Sequence, residues 1–165
     1  MRAGSYGGRS LCGVDAAAPE HPHEPLAAPL PGAVLVVDDE PPVRALAETT
    51  LRRAGYATTG ASDGLEAIEK LTAHRGRFDV IVLDLAMPRL GGAEAFPKLR
   101  AICPGVPIVL LSGFAQDTVA HLLEEPAVFF LSKPCRPATL LNLVARAQRL
   151  APRAVHRVPQ GADRD

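Results

Sequence analysis

Between residues 33 and 150, short apolar runs alternate with stretches in which apolar residues recur every three or four positions. The first run, Ala33-Val34-Leu35-Val36-Val37, is continuously apolar, as in a strand buried on both faces. A helical stretch follows in which Val43, Leu46, Ala47, Leu51 and Ala54 fall near one face, and Gly55 stands where a helix C-terminal cap belongs. Residues 56–61 predict a second, weaker strand. Asp63 with Glu66 three residues on predicts a capping box for a helix carrying Leu65, Ile68 and Leu71. Phe78 to Leu83 predicts a third strand, β-branched at Val80, Ile81 and Val82. A helix over 93–102, a strand over 107–111, a polar helix over 116–125 and a strand over 128–131 come next. The closing helix, 137–150, turns Leu140, Leu141, Val144 and Ala147 inward. Five strands alternating with five helices imply right-handed crossovers and a parallel sheet covered on both faces, an α/β fold.

Outside this region the pattern stops. Residues 1–32 carry five prolines between Pro19 and Pro31 and few bulky apolar groups, too few to offset the entropy of ordering. They are expected to form a disordered N-terminal tail, with His21 and His23 in a solvated linker. Residues 151–165 read in the same way, as a flexible C-terminal tail, which leaves 33–150 as one domain.

Composition narrows the function classes. The 165 residues are 47% hydrophobic but only 4% aromatic, without Trp, so aliphatic side chains must build the core. Eighteen basic and 18 acidic residues balance, which excludes the electrostatic footprint of a nucleic-acid binder or a polybasic membrane anchor. Cys12, Cys103 and Cys135 are odd in number and widely spaced, without disulfide or metal-site spacing. With no apolar run of membrane-spanning length and no signal-peptide pattern, a reducing cytoplasm is the expected location.

The chemistry collects at the strand ends. In an open parallel sheet, ligands bind outside the carboxyl ends of the strands. Strand one ends in Asp38-Asp39-Glu40, strand three in Asp84, strand four in Ser112, and strand five runs into Ser132-Lys133-Pro134. Each residue alone has a plain explanation: Asp38 and Asp39 as helix caps, Asp84 and Ser112 as turn residues, Lys133 as a solvated lysine. Caps and turns give no reason for both signs of charge at one edge. Clustered carboxylates repel unless a cation neutralises them, and an oxygen-only set suits Mg²⁺. A lysine beside them would attract a phosphoryl group, so the inferred chemistry is phosphoryl transfer.

These residues match a known pattern. Val34-Leu-Val-Val-Asp-Asp-Glu40, Asp84-Leu-Ala-Met-Pro88 with Gly92, Leu111-Ser112-Gly113 and Lys133-Pro134 together resemble the receiver domain of bacterial two-component response regulators. The resemblance implies a (βα)₅ flavodoxin-like fold with strand order 2-1-3-4-5. It implies Asp84 as phosphoacceptor, and Asp38, Asp39, Asp84 and the Ala86 carbonyl as the Mg²⁺ shell. It further implies Ser112 as the hydroxyl that turns toward the phosphoryl group, Lys133 as its pairing cation with a cis bond to Pro134, and Phe130 as the aromatic switch. The implied donor is a sensor histidine kinase or a histidine phosphotransfer protein, with a downstream protein as reader and neither DNA nor membrane as partner. Leu111-Ser-Gly-Phe114 and Lys133-Pro-Cys-Arg-Pro-Ala138 are most similar to receivers fused to hybrid kinases. The 15 residues after 150 are too few for an output domain, so a diffusible single-domain regulator, a phosphate shuttle or a phosphate sink is expected, in each case a signalling protein that catalyses only its own phosphorylation and dephosphorylation.

Departures and rivals bear on this expectation. A haloacid dehalogenase-type phosphatase needs a second acid two residues after its nucleophile, where this chain has Ala86. A flavodoxin-like nucleotide binder needs a Gly/Ser/Thr-rich loop after strand one, where this chain has Asp-Asp-Glu-Pro-Pro. A pseudo-receiver that only binds protein is the remaining alternative. Pro97 falls inside the third helix, which is expected to start late or bend. The segment Glu124-Glu125-Pro126-Ala127 lacks the glycine expected before strand five, and Cys135 stands where Phe is common. Neither Ala86 nor Phe114 offers a polar group to hold an attacking water, so a phosphoryl group on Asp84 is expected to be long-lived. A half-life of only seconds, followed by loss of radiolabelled phosphate, would overturn that expectation.

Overall fold

The computed structural model describes residues 32–113 and 119–150; of the segments read above, the tails at 1–31 and 151–165, Phe114 and the first three positions of the expected 116–125 helix lie outside the described residues. The elements run β1 (Ala33–Val37), α1 (Pro41–Arg53), β2 (Ala57–Ala61), α2 (Gly64–Ala73), β3 (Val80–Asp84), α3 (Gly92–Ile102), β4 (Ile108–Ser112), α4 (Ala120–Leu123), β5 (Val128–Ser132) and α5 (Pro137–Leu150). All neighbouring strands pair in parallel, in the order β2-β1-β3-β4-β5, the flavodoxin-like arrangement expected from the sequence. The central strands β3 and β4 end one residue later than the apolar pattern indicated, and β3 starts at Val80 rather than Phe78. β3 takes in Asp84 and β4 takes in Ser112, because a backbone ladder does not stop where side chains turn polar.

Alternation along each strand explains the two cores. Leu35, Ile81, Leu83, Ile108 and Leu110 face α2 and α3, meeting Leu71 and Leu99. Val34, Val36, Val80, Val82, Val109 and Leu111 face the other way, meeting Leu51 of α1 and Val144 of α5. Both faces of the central strands are therefore apolar, which is why they read as continuous hydrophobic runs.

Helix ends follow local chemistry. Pro41 and Pro42 open α1, where backbone N–H groups have no intrahelical partner to lose, and Gly55 after its end takes the expected left-handed φ of 95°. Leu46 departs from the amphipathic reading. It is 56% exposed, because it borders an open groove between α1 and α5 rather than the packed sheet. The capping box is also redrawn. The Asp63 carboxylate accepts from the N–H groups of Leu65 and Glu66, but the Glu66 carboxylate reaches the Ser62 N–H, one residue earlier than the motif specifies. Hydrogen bonds from Lys70 and Ser62 hold the Glu66 carboxyl down at about 2.

Two irregularities were anticipated in part. α3 does not start late: it begins at Gly92 and runs past Pro97 to Ile102. Pro97 and Ala93, whose carbonyl loses its bond, are both exposed, so water can satisfy that oxygen. Before β5, where a glycine was expected, Ala127 itself adopts a left-handed φ of 58°. Its N-terminal neighbour is held there, since the Arg100 guanidinium donates to the Pro126 carbonyl oxygen at 3.2 Å. Left-handed backbone costs an L-residue about 1–2 kcal/mol, partly offset by the greater chain entropy that glycine loses on folding. Ala127→Gly should therefore stabilise the protein by about 0.5–1 kcal/mol, seen as a higher urea midpoint with unchanged slope; a lower midpoint would contradict this account.

Candidate phosphoryl-acceptor site

The site begins with strand register. Val37 of β1 pairs with Leu83 of β3, so the next residues, Asp38 and Asp84, emerge side by side at the carboxyl end of the sheet. One carboxylate oxygen from each of Asp38, Asp39 and Asp84 lies within 4.8 Å of the others. Asp38 and Asp84 are buried and Asp39 is half-exposed. Such a set of hard oxygen donors with one solvent-facing member fits Mg²⁺, which keeps several waters when bound.

The fourth charge arrives from the far side of the sheet. Ser112 pairs with Ser132 across β4 and β5, and the N–H of Lys133 donates to the Ser112 carbonyl oxygen at 2.8 Å. From there Lys133 Nζ donates to Asp38 Oδ2 at 2.8 Å and to Asp84 Oδ2 at 2.5 Å. Burial works against the ammonium, but its bonds to the two carboxylates prevail and push its pKa above the ordinary 10.5. The Lys133–Pro134 bond is cis, as expected.

Backbone donors finish the cradle. The Glu40 N–H donates to Asp38 Oδ1 at 2.9 Å, and the Ala86 N–H donates to Asp84 Oδ1 at 3.0 Å. The loop after β3 is drawn tightly against the strand, since a Cβ on Gly92 would lie 2.1 Å from the Asp84 carbonyl oxygen; no larger residue fits there. Arg89, at φ 66°, clamps the same loop to the start of α2 through an ion pair with Asp63 at 3.1 Å.

Asp38, Asp39, Asp84, Ser112 and Lys133 thus meet at one edge, with Ala86 in the adjoining loop. Ser112 is fully buried. Phe130 lies apart from the cluster; it pairs with Leu110, two residues before Ser112, and packs half-buried against the α2/α3 core. A groove of about 420 Å³ borders the site between α1 and α5, lined by Val43, Leu46, Pro134, Cys135 and Leu140 and reaching Glu40 and Lys133. Cys103 and Cys135 are free thiols; burial pushes Cys103 up to about 11. His74 and His121 are exposed. Two side chains bear on the site without having been singled out in the sequence. They are Arg89, described above, and Arg44, whose Nη1 donates to the carbonyl oxygen of Asp38. Neither belongs to a motif, and nothing in the sequence sets either apart from other arginines. No described helix is long and apolar enough to cross a membrane.

Comparison with known proteins agrees with this geometry. A family model described as the response regulator receiver domain matches residues 34–145. The chain is 36% identical over 120 residues to protein Rrf1 of Nitratidesulfovibrio vulgaris, covering 72% of this chain and 83% of that protein. It is 44% identical over 133 residues to the probable transcriptional regulatory protein TcrX of Mycobacterium tuberculosis, covering 80% and 55%. To the sensor kinase CckA of Brucella abortus it is 36% identical over 102 residues, covering 61% and 11%. It therefore spans most of Rrf1 but only about half of TcrX and a small part of CckA. Among solved structures, the receiver domain of the hybrid histidine kinase CckA superposes with a TM-score of 0.62 at 32% identity, covering 71% of this chain and 99% of that one. The chemotaxis protein CheY4 of Vibrio cholerae does so with a TM-score of 0.65 at 33% identity, covering 72% and 99%.

A raised folded-state pKa means that the contribution of Lys133 to stability is complete below pH 10.5 and is lost as pH climbs through the folded value. In a ¹³C NMR titration of methylated lysines, Lys133 should hold its proton above pH 10.5. Asp84→Asn, which removes one bonded carboxylate, should move that midpoint down; an unmoved midpoint would refute the pairing.

Proposed function

Because this chain belongs to the response regulator receiver family, we propose that it accepts a phosphoryl group from a partner's phosphohistidine onto Asp84 in two-component signalling. The observation that carries this reading is the ammonium of Lys133 bonded to both Asp38 and Asp84 beside a third carboxylate. It supports the reading because groups suited to act as nucleophile, metal ligands and phosphate-binding cation lie together.

In this reading an Oδ of Asp84 attacks phosphorus. The new O–P bond forms as the P–N bond to the partner's histidine breaks, and the bonding pair stays on the imidazole nitrogen. The Ala86 N–H and Lys133 keep the Asp84 carboxylate oriented, so little ordering remains to be done when the donor arrives. Asp38, Asp39, Asp84 and the Ala86 carbonyl would hold Mg²⁺, which when bound neutralises the charge on the transferring group. Lys133 shifts from the carboxylates toward the phosphoryl oxygens. Later, water attacks phosphorus, the O–P bond to Asp84 breaks, and the carboxylate and inorganic phosphate are released.

Ser112 and Phe130 serve as the switch in this reading. Both belong to the face of the sheet that packs on α2 and α3, and neighbouring strands carry them. A Ser112 hydroxyl drawn toward the phosphoryl group leaves space that Phe130 can enter, which alters the surface formed by α4, β5 and α5. The phosphoryl group biases this equilibrium only through contacts made better in one state. Similarity to the CckA receiver and to the CckA sensor kinase supports a hybrid or ordinary sensor histidine kinase, or a histidine phosphotransfer protein, as donor. The groove beside Lys133 offers that partner an apolar surface next to the acceptor. We place the protein in the cytoplasm and assign it no substrate beyond its own phosphoryl group.

Incubation with acetyl phosphate and Mg²⁺, followed by intact mass, tests the acceptor. Wild type should gain the mass of one phosphoryl group, and Asp84→Asn should gain none. An unmodified wild type would overturn the reading in favour of a phosphorylation-independent binding module.

A further inference from the structure

The acidic cluster is supported from behind by a residue that the receiver motifs do not include. Arg44 sits half-buried in the first turns of α1, and its N–H makes the first bond of that helix, to the Glu40 carbonyl oxygen at 2.9 Å. Its side chain runs back toward the sheet and donates from Nη1 to the carbonyl oxygen of Asp38. Room for this path comes from β2: a Cβ on Gly60 would lie 3.3 Å from Arg44 Cδ and 2.0 Å from Glu48 Oε1. A larger residue at position 60 would press on the arginine where it crosses the strand.

The target of the bond is what gives it consequence. Asp38 is already held at its N–H by the Ala61 carbonyl oxygen at 3.1 Å, and at its carboxylate by Glu40 and Lys133. Its carbonyl belongs to the peptide that joins the two neighbouring acids. Fixing that carbonyl fixes the plane of the peptide and with it the position of the Asp39 Cα, which narrows the space its carboxylate can reach. Asp39 is the most exposed member of the cluster and has the most freedom to lose.

We propose that Arg44 is a positioning residue for the acidic cluster, holding the Asp38–Asp39 peptide so that the Asp39 carboxylate converges with those of Asp38 and Asp84 on a divalent cation. The inference rests on the metal-binding reading given above. An arginine this near three carboxylates has a second, opposed effect, since its charge repels an incoming cation. Positioning and repulsion predict opposite signs when the side chain is removed, and this makes the idea testable.

Titration calorimetry of the full chain with MgCl₂ provides the test, using wild type, Arg44→Met and Arg44→Lys, with melting temperatures taken in EDTA. Arg44→Met should bind Mg²⁺ roughly tenfold more weakly, the lower end of what losing a partner behind a metal ligand costs. Arg44→Lys, which keeps the charge and one donor, should lose less. Melting temperatures in EDTA close to that of wild type would show that the loss is not one of folding. Affinity equal to wild type, or tighter as repulsion alone would give, overturns the proposal. If Arg44→Met does not fold, Arg44→Gln, which removes the charge and is too short to reach the Asp38 carbonyl, decides on the same criterion. A wild type that binds no Mg²⁺ would defeat the metal reading and this inference with it, whereas a wild type and an Arg44→Met that bind equally well would defeat this inference alone.

Discussion

The ammonium of Lys133 stands between Asp38 and Asp84, bonded to each, and the rest of the site is arranged around that contact. Two buried carboxylates at the ends of adjacent strands repel each other, and moving either out of water costs several kcal/mol before any attraction is counted. A cation must be delivered, and the topology determines where it can come from. In the order β2-β1-β3-β4-β5, the strand that carries Lys133 is two places from β3, roughly 10 Å at the usual spacing of strands. The lysine therefore reaches over the end of β4, and its own N–H rests on the Ser112 carbonyl as it does so. The register of β5 on β4 and that of β3 on β1 must both be correct for one bond pair to form.

Such a contact adds little net stability, because the cost of taking its charges out of water offsets much of their attraction. Stability comes from the two apolar layers, in which every residue of β3 and β4 is buried. What the layers supply to the site is stiffness. A side chain at a strand end inherits the position of its backbone, which is fixed by ladder bonds on both sides, so the carboxylates need little further ordering. Stiffness ends at the loops, and there the chain adds ties. Gly92 allows α3 to press against the Asp84 carbonyl, Arg89 clamps the β3–α3 loop to Asp63, and Arg44 holds the Asp38 carbonyl.

What could be read from the sequence divides along the same line. The strands and the identity of the residues at their ends were legible, because a β-branched run that stops at an acid announces both the strand and its exit. Strand order was not available from periodicity and came only through the resemblance to receivers. The ties were not legible. Arg44 resembles any arginine on an amphipathic helix, and Arg89 any loop arginine, until the backbone shows which carbonyl or carboxylate lies within reach. The pairing of Glu66 with Ser62 instead of Asp63 differs by one residue from its motif, below the resolution of pattern. Leu46 followed the apolar period of α1, yet lies exposed because the groove between α1 and α5 is open at that level. Ala127 shows the opposite case: the missing glycine was visible in the sequence, but not that the backbone would take the left-handed turn without it.

Burial across the sheet gives the site a direction. β1, β3 and β4 are buried almost throughout, whereas β2 and β5 at the two edges are half-buried. The edges are not equivalent. β2 is held at its end by the Asp38 N–H on Ala61, by Lys70 on the Gly60 carbonyl, and by Glu66 on Ser62, so it is tied to α2 and to the acidic loop together. β5 keeps the bond from the Lys133 N–H to Ser112 and, at its other end, the strained turn at Ala127. Elements that change state are drawn from the less stable parts of a structure. Of the two edges, β5 is the one that leads into the cation bonded to Asp84. A change of charge at Asp84 would therefore act, through Lys133, on the end of that strand.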